Sequence, residues 1–114
     1  MIQRHRDRND FWNAIVGLQI YARLHGIRVM PISFYRTATE QRRYFGRGKS
    51  MCDGYVKVSK HQKWEAMDLA VLDENDNIKW DGPEYELLGR RWTRLRHTWG
   101  GNFKSLRDVG HFER

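Results

Sequence analysis

Four residues of the sequence have the types and spacing that a metal-dependent reaction requires. His61 and Asp68 are seven positions apart, and His111 lies in the final segment of the sequence. Two imidazoles and one carboxylate form a ligand set that zinc accepts, and three protein ligands leave a fourth position open for water, as in catalytic sites. Asp108, three residues before His111, is a candidate for the base that takes a proton from that water. The residues therefore predict Zn²⁺ as a cofactor.

Other interpretations of these residues are less specific. A single histidine such as His61 is more often solvated or structural than a metal ligand. Asp68 is harder to explain in that way, because it lies in the apolar run 66–72 and a buried carboxylate needs a charged partner or a metal. Glu113 shares a strand face with His111, which makes it a second candidate base, although we favour a supporting role for it.

Three segments have helical signals, namely apolar residues at helical spacing, capping residues or a proline in the first turn. They are residues 10–25, with Asn9 or Asp10 as N-cap and Gly26 after the last turn; residues 37–45, with a capping box of Thr37 and Glu40; and residues 83–95. Each predicted helix is followed by a segment with strand or loop character.

Four segments have the signals of strands. They are residues 27–34, where Pro31 predicts an edge or a bulge; residues 66–72; residues 78–80; and residues 110–113. Residues 46–60 contain three glycines and predict a loop that leads to His61. The order of elements predicts an α+β fold: one small domain over residues 1–114, with a mostly antiparallel sheet, about three helices and the zinc site on the sheet.

Composition limits the class of partner. The net charge of +7 and the isoelectric point near 9.9 favour an anionic partner, such as nucleic acid, anionic lipid or the polymers of a bacterial wall. Cys52 is the single cysteine, which excludes an intramolecular disulfide. No apolar run approaches the ~20 residues of a transmembrane helix. Because residues 1–8 lack the pattern of a signal peptide, we expect a protein made in the cytoplasm.

Several segments together resemble a known family. The sequence resembles the zinc peptidase family of D-alanyl-D-alanine carboxypeptidases and L-alanyl-D-glutamate endopeptidases, which includes VanY-like vancomycin-resistance peptidases and phage endolysins. The resemblance extends from about residue 34 to residue 113. The segments that carry it are residues 34–37 with 40–41, residues 59–61 through Asp68, residues 99–101 and residues 108–113.

The resemblance implies a role for each matching residue. The implied zinc ligands are His61, Asp68 and His111; the implied catalytic residues are Asp108, as acid and base, and Arg36, which stabilises charge on the substrate carbonyl; the implied substrate-binding residues are Ser59, Arg36 and Gln41. One position departs from the pattern, because family members commonly have glycine where this sequence has Trp64. A bulky aromatic there would either narrow or reshape the pocket, and the sequence does not decide between the two.

The resemblance implies a monomeric enzyme that hydrolyses an amide bond in the stem peptide of bacterial peptidoglycan, acting on the cell wall after release from the cytoplasm as phage endolysins do. The aspartate at position 108 favours cleavage between L-alanine and D-glutamate, and removal of a terminal D-alanine is the alternative. A protein that binds wall without cutting it is a third possibility. A basic nucleic-acid-binding module is a fourth, but no recognised motif organises its charges.

Overall fold

The protein is built around a small antiparallel sheet. The computed structural model describes residues 2–114. In this range the elements are α1 (Ile2–Leu24), β1 (Arg28–Ser33), α2 (Ala38–Gly46), a 3₁₀ helix (Lys60–Lys63), β2 (Ala66–Leu72), β3 (Ile78–Lys79), α3 (Pro83–Arg94), β4 (Thr98–Trp99), a second 3₁₀ helix (Gly100–Asn102) and β5 (His111–Glu113). The strands are ordered β1-β2-β5-β4, and β3 also pairs with β2. The predicted α+β fold is confirmed.

Strand β2 separates the hydrophobic core from the opposite face of the sheet. Met67, Leu69 and Val71 belong to the core, whereas Asp68 alternates to the other face. Helices α1 and α3 supply most of the remaining core, and each large apolar side chain contributes roughly 1.5–3 kcal/mol on burial. The core residues outside β2 include Phe11, Ile15, Leu18 and Ala22 of α1, Tyr85, Leu88 and Trp92 of α3, and Phe112 of β5.

Helix α1 is longer than predicted. The proposed N-cap at Asn9 or Asp10 is wrong, because the helix already begins at Ile2 and passes through both residues. Arginine and glutamine are good helix formers, so the charged segment before the apolar spacing does not stop the helix. The predicted end is confirmed, since Gly26 has a φ of +70° and the Ile27 N–H bonds to the carbonyl of Ala22 at 2.9 Å.

Two local predictions for the segments next to Arg36 are confirmed. The register of β1 against β2 shifts between Pro31 and Ser33, and β1 is an edge strand, where proline is tolerated. Thr37 and Glu40 form the predicted capping box, with Glu40 N–H bonding to Thr37 Oγ1 at 3.1 Å and Thr37 N–H to Glu40 Oε1 at 3.0 Å. Both features fix the chain on either side of Arg36.

Some short elements were not predicted. Strand β4 and the 3₁₀ helix Lys60–Lys63 have only two and four residues, too few for a periodic pattern. Trp99 of β4 pairs with Phe112 of β5 and therefore extends the sheet beyond the last predicted strand. Of the helices in residues 2–114, none has the length and apolar composition that a membrane crossing requires.

Close packing of α3 against Trp99 generates a test of the fold. A Cβ added at Gly89 would overlap the Trp99 ring, so we expect Gly89→Ala to lower the free energy of unfolding by about 1–3 kcal/mol. Gly17→Ala in α1 is the control, because nothing lies within 4 Å of its Cβ position and alanine should raise stability there by roughly 0.5–1 kcal/mol. Urea unfolding measures both; equal stability of the two variants would contradict this packing.

Candidate metal centre and the pocket beside it

Three side chains from separate elements bring one atom each to the same point. His61 Nε2 lies 3.2 Å from Asp68 Oδ1 and 3.3 Å from His111 Nδ1, and His111 Nδ1 lies 2.9 Å from Asp68 Oδ1. Zinc bonds of about 2.0–2.1 Å at tetrahedral angles place neighbouring ligand atoms about 3.3 Å apart. The three atoms of this ligand cluster are therefore spaced like three corners of a zinc site.

Strand register and a short helix set the cluster's geometry. Asp68 and His111 are direct cross-strand partners in β2 and β5, so their side chains leave the same face of the sheet. His61 lies in the 3₁₀ helix, whose first turn is capped by Ser59: the His61 N–H bonds to Ser59 Oγ at 3.2 Å. Residues predicted from spacing alone are thus brought together by elements that meet on the sheet.

Each histidine of the cluster has an acceptor for its other ring nitrogen. His61 Nδ1 lies 2.7 Å from the backbone carbonyl of Phe34, and His111 Nε2 lies 2.7 Å from Glu113 Oε1. Because a carbonyl or carboxylate oxygen accepts, both outer nitrogens carry the proton. In a neutral imidazole the inner nitrogen then has a lone pair, as a metal ligand requires. The supporting role favoured for Glu113 agrees with this contact, whereas no side-chain signal pointed to the Phe34 carbonyl.

The electrostatics of the cluster call for a positive charge at its centre. When the imidazoles are neutral and their outer nitrogens are protonated, two lone pairs and the Asp68 carboxylate converge at one point. In the metal-free protein a second proton, on His111 Nδ1, bonds to Asp68 Oδ1 instead. Burial raises the pKa of Asp68, but hydrogen bonds from His111 and His61 outweigh it and hold that pKa well below its usual range. Burial lowers the pKa of His111, yet Asp68 and Glu113 raise it to about 9. The donor set fits a divalent cation.

Arg36 is buried against the outer oxygen of Asp68. Its Nη2 donates to Asp68 Oδ2 at 2.6 Å, Nη1 donates to Gln41 Oε1 at 3.1 Å and Nε donates to Ser33 Oγ at 3.1 Å. The guanidinium also lies 3.9 Å from the centre of the Tyr44 ring. Asp68 therefore divides its oxygens, with Oδ1 toward the histidines and Oδ2 toward Arg36, and this fixes the orientation of its carboxylate.

Gln41 is placed differently from what the resemblance implied. Its side chain is fully buried, with Oε1 accepting from Arg36 and Nε2 donating to Ser50 Oγ at 2.7 Å and to the carbonyl of Cys52 at 2.9 Å. A direct contact with substrate is therefore not available to Gln41 in this structure. It links Arg36 to the segment that follows α2.

The ligand cluster borders a pocket with a volume of about 400 Å³, within the range of small-molecule sites. Its walls include both histidines of the cluster, Arg36 and Ser59, as the resemblance implied. Apolar side chains from two loops complete it: Met51 and Val58 from one, and Phe103 and Leu106 from the other. The pocket therefore combines a metal-type cluster with apolar surface that an uncharged part of a ligand can contact.

Asp108 lies at this pocket, in the loop that leads into β5. Its N–H bonds to the carbonyl of Gly100 at 2.9 Å, and its own carbonyl accepts from His111 N–H at 3.2 Å. Asp108 is exposed at the mouth of the pocket, yet partial desolvation by the surrounding protein raises the pKa of its carboxyl, and the nearby charge of Asp68 raises it further. A carboxyl with a raised pKa beside a metal-type cluster is suited to exchanging protons.

Trp64 does not belong to the pocket wall. The residue ends the 3₁₀ helix in the left-handed conformation, with a φ of 62° and a ψ of 33°, which glycine adopts without strain. Its ring turns away from the pocket and stacks on Tyr35 with 4.4 Å between ring centres, and it meets Phe34 edge-on at 5.4 Å. The departure from glycine changes the outer surface beside the cluster.

Three solved structures of peptidases are similar to the protein in fold. The L-Ala D-Glu endopeptidase ChiX of Serratia marcescens matches with a TM-score of 0.60 and 24% identity over 76% of this chain and 66% of its own. The vancomycin-resistance D,D-pentapeptidase VanY, solved as a mutant in complex with Zn(II), matches with a TM-score of 0.63 and 18% identity over 91% and 70%. The LD-carboxypeptidase LdcB matches with a TM-score of 0.54 and 16% identity over 94% and 56%.

These similarities establish the fold. The chain spans between 56 and 70% of the length of the three peptidases, at identities of 16 to 24%. No protein-family model matches the sequence, and no curated protein is significantly similar to it. The function must therefore be argued from the ligand cluster, its supporting contacts and the pocket.

The contact between Glu113 and His111 predicts the strength of metal binding. Glu113→Ala removes the acceptor that orients the ligand, and we expect a loss of about 10–100-fold in zinc affinity. Glu113→Gln should lose less, because the amide oxygen still accepts from His111 Nε2. Competition with a chromophoric chelator measures the affinities. Glu74→Ala, in the exposed turn before β3, is the control, and unchanged affinity in Glu113→Ala would contradict the role.

The raised pKa of His111 predicts how the metal-free protein responds to pH. Because the folded pKa of about 9 exceeds the ordinary value of 6.5, protonation of His111 stabilises the fold below pH 6.5, and this stability disappears as the pH rises to about 9. We expect the Tm of chelator-treated protein to fall by about 5 °C or more over that interval. The Tm of the zinc-loaded protein should fall less over the same interval, because the metal takes the place of the proton on His111. If the Tm falls equally with pH in the metal-free and the zinc-loaded protein, the prediction is contradicted.

Proposed function

We propose that the protein is a zinc peptidase that hydrolyses an amide bond in the stem peptide of bacterial peptidoglycan. The observation that carries the proposal is the convergence of His61, Asp68 and His111 beside a pocket that also contains Asp108. The fold supports the substrate class, because an L-Ala D-Glu endopeptidase, a D,D-pentapeptidase and an LD-carboxypeptidase share it.

Each residue of the site has a separate role in hydrolysis. A zinc ion held by the cluster would activate water near neutral pH and polarise the scissile carbonyl. Asp108 accepts the proton of the attacking water and then donates it to the nitrogen of the leaving amine, so that water adds across the broken bond. Arg36 holds Asp68 in place, and its positive charge at the pocket wall offsets negative charge that develops on the carbonyl oxygen.

The hydroxyl proton of Ser59 is available for a hydrogen bond to substrate. Its hydroxyl oxygen accepts from the His61 N–H, so its proton remains available to donate to a peptide carbonyl in the pocket. We therefore keep Ser59 and Arg36 as substrate-binding residues and give Gln41 a supporting role. The preferred bond is the one between L-alanine and D-glutamate, because of the aspartate at position 108; removal of a terminal D-alanine is the alternative. In this proposal the enzyme acts on the cell wall as a monomer.

Digestion of purified peptidoglycan by the zinc-loaded protein tests the function. We expect mass spectrometry to find a new D-glutamate amino terminus, and release of free D-alanine would instead identify a carboxypeptidase. Asp108→Ala should reduce the rate by about 10²–10⁴-fold while it retains zinc, because the residue is not a ligand. Asp10→Ala, an exposed aspartate of α1, is the control.

Two results would overturn the proposal. The first is the absence of any product from a folded, zinc-loaded sample. The second is salt-dependent retention on DNA that persists in the His61→Ala and His111→Ala variants, which would identify a nucleic-acid-binding protein instead. Equal activity of Asp108→Ala and Asp10→Ala would leave a peptidase but remove Asp108 from its mechanism.

A further inference from the structure

Two lysines line the pocket without an anionic partner. Lys49 and Lys57 are both exposed and both belong to the pocket wall, and neither makes an ion pair among residues 2–114. The other cations of the wall are already engaged. Arg36 pairs with Asp68 at 2.6 Å, and Lys60 Nζ lies 3.9 Å from a carboxylate oxygen of Glu65.

The backbone that carries these lysines is held in place from several sides. Asp53 Oδ1 accepts from three successive N–H groups, those of Tyr55, Val56 and Lys57, at 2.9 to 3.0 Å. At the other lysine, the Lys49 N–H bonds to the carbonyl of Tyr44 at 2.9 Å. Both lysine side chains therefore extend from a held backbone, and neither ammonium group has a hydrogen-bond partner among the described residues.

The segment is also tied to the ligand cluster. Gln62 Nε2, in the same 3₁₀ helix as His61, donates to the carbonyl of Gly54 at 2.9 Å, and Gln41 Nε2 donates to the carbonyl of Cys52. Hydrogen bonds thus fix the backbone that carries the lysines relative to the cluster. This pre-organisation lowers the entropic cost of binding an anionic group.

The charges around the pocket are separated by element. The segment 49–60 contributes three lysines to the wall, whereas the segment that leads through β5 contributes Asp108 and Glu113. A substrate that presents an anion to the lysines and an amine to Asp108 matches this arrangement. An ammonium group pairs with a carboxylate through charge-assisted hydrogen bonds, which are about twice as strong as neutral ones.

We propose that Lys49 and Lys57 bind the free α-carboxylate of the substrate residue whose amine departs. This inference rests on the proposed function and names the group by which the substrate is selected. Both candidate bonds supply it. D-glutamate in the stem peptide continues through its side-chain carboxyl and keeps its α-carboxylate free, and a terminal D-alanine ends in one. The two sources share one chemistry, a free α-carboxylate on the residue whose amine departs.

Paired substrates that differ only at this group test the inference. One pair is a stem peptide with D-glutamate and the same peptide with the α-carboxyl converted to an amide; the second pair is a peptide ending in D-alanyl-D-alanine and its terminal amide. We expect the zinc-loaded protein to prefer the acid of one pair by about tenfold or more in kcat/KM. The pair that shows the preference identifies the source of the carboxylate.

The double variant Lys49→Met, Lys57→Met should lose the preference and cleave the acid at about the rate of the amide. Lys63→Met is the matched control, because Lys63 is exposed and outside the pocket wall. High salt should weaken the preference of the wild type and leave the double variant unchanged. A preference for acid that survives in the double variant, or equal rates on acid and amide in the wild type, would overturn the inference.

Binding of products separates this inference from the proposed function. If none of the peptides is cleaved, the proposed function fails, and calorimetric titration of the zinc-loaded protein with the D-glutamate-headed product peptide and its α-amide remains informative. Tighter binding of the acid that disappears in the double variant supports the lysine site on its own. Equal binding of acid and amide, or an acid preference retained in the double variant, overturns it.

Discussion

The division of the Asp68 carboxylate between two sets of partners is the constraint on which the rest of the site depends. A carboxylate buried in a strand costs several kcal/mol unless it is fully paired. Here Oδ1 meets both histidines and Oδ2 meets Arg36. Removing any partner leaves part of this charge without its hydrogen bond. The 3₁₀ helix, β5 and the end of β1 must therefore all be in place around β2, and the fold supplies them.

The sheet can hold a paired carboxylate beside an apolar core because one of its faces packs on the core and the other carries the ligand cluster. Odd-numbered residues of β2 join the core formed with α1 and α3, and Asp68 faces the other side with His111 as its cross-strand partner. Because successive side chains of a strand point to opposite faces, the polar cluster and the apolar core are built from neighbouring residues of β2 and remain on separate sides of the sheet. Rigid packing behind the sheet holds the cluster's geometry, which a loop-borne site would lack.

The sequence was sufficient for the parts that depend on side-chain chemistry and local pattern. The ligand cluster, strand β2 and the capping box at Thr37 follow from residue types and spacing. The Phe34 carbonyl could not be predicted, because a backbone acceptor has no residue signature. The burial of Gln41 and the outward turn of Trp64 depend on long-range packing that spacing does not encode. Helix α1 begins earlier than predicted because charged residues with good helix propensity also extend a helix.

A continuous path of hydrogen bonds runs from the ligand cluster to the pocket wall, through Asp68, Arg36 and Gln41 to Ser50 and the carbonyl of Cys52. This path limits how the protein can evolve. Substitutions along it are expected to affect the ligand cluster and the wall together, because each residue of the path holds the next. Wall side chains outside the path, such as Met51, Lys57 and Val58, can change without breaking any of its hydrogen bonds.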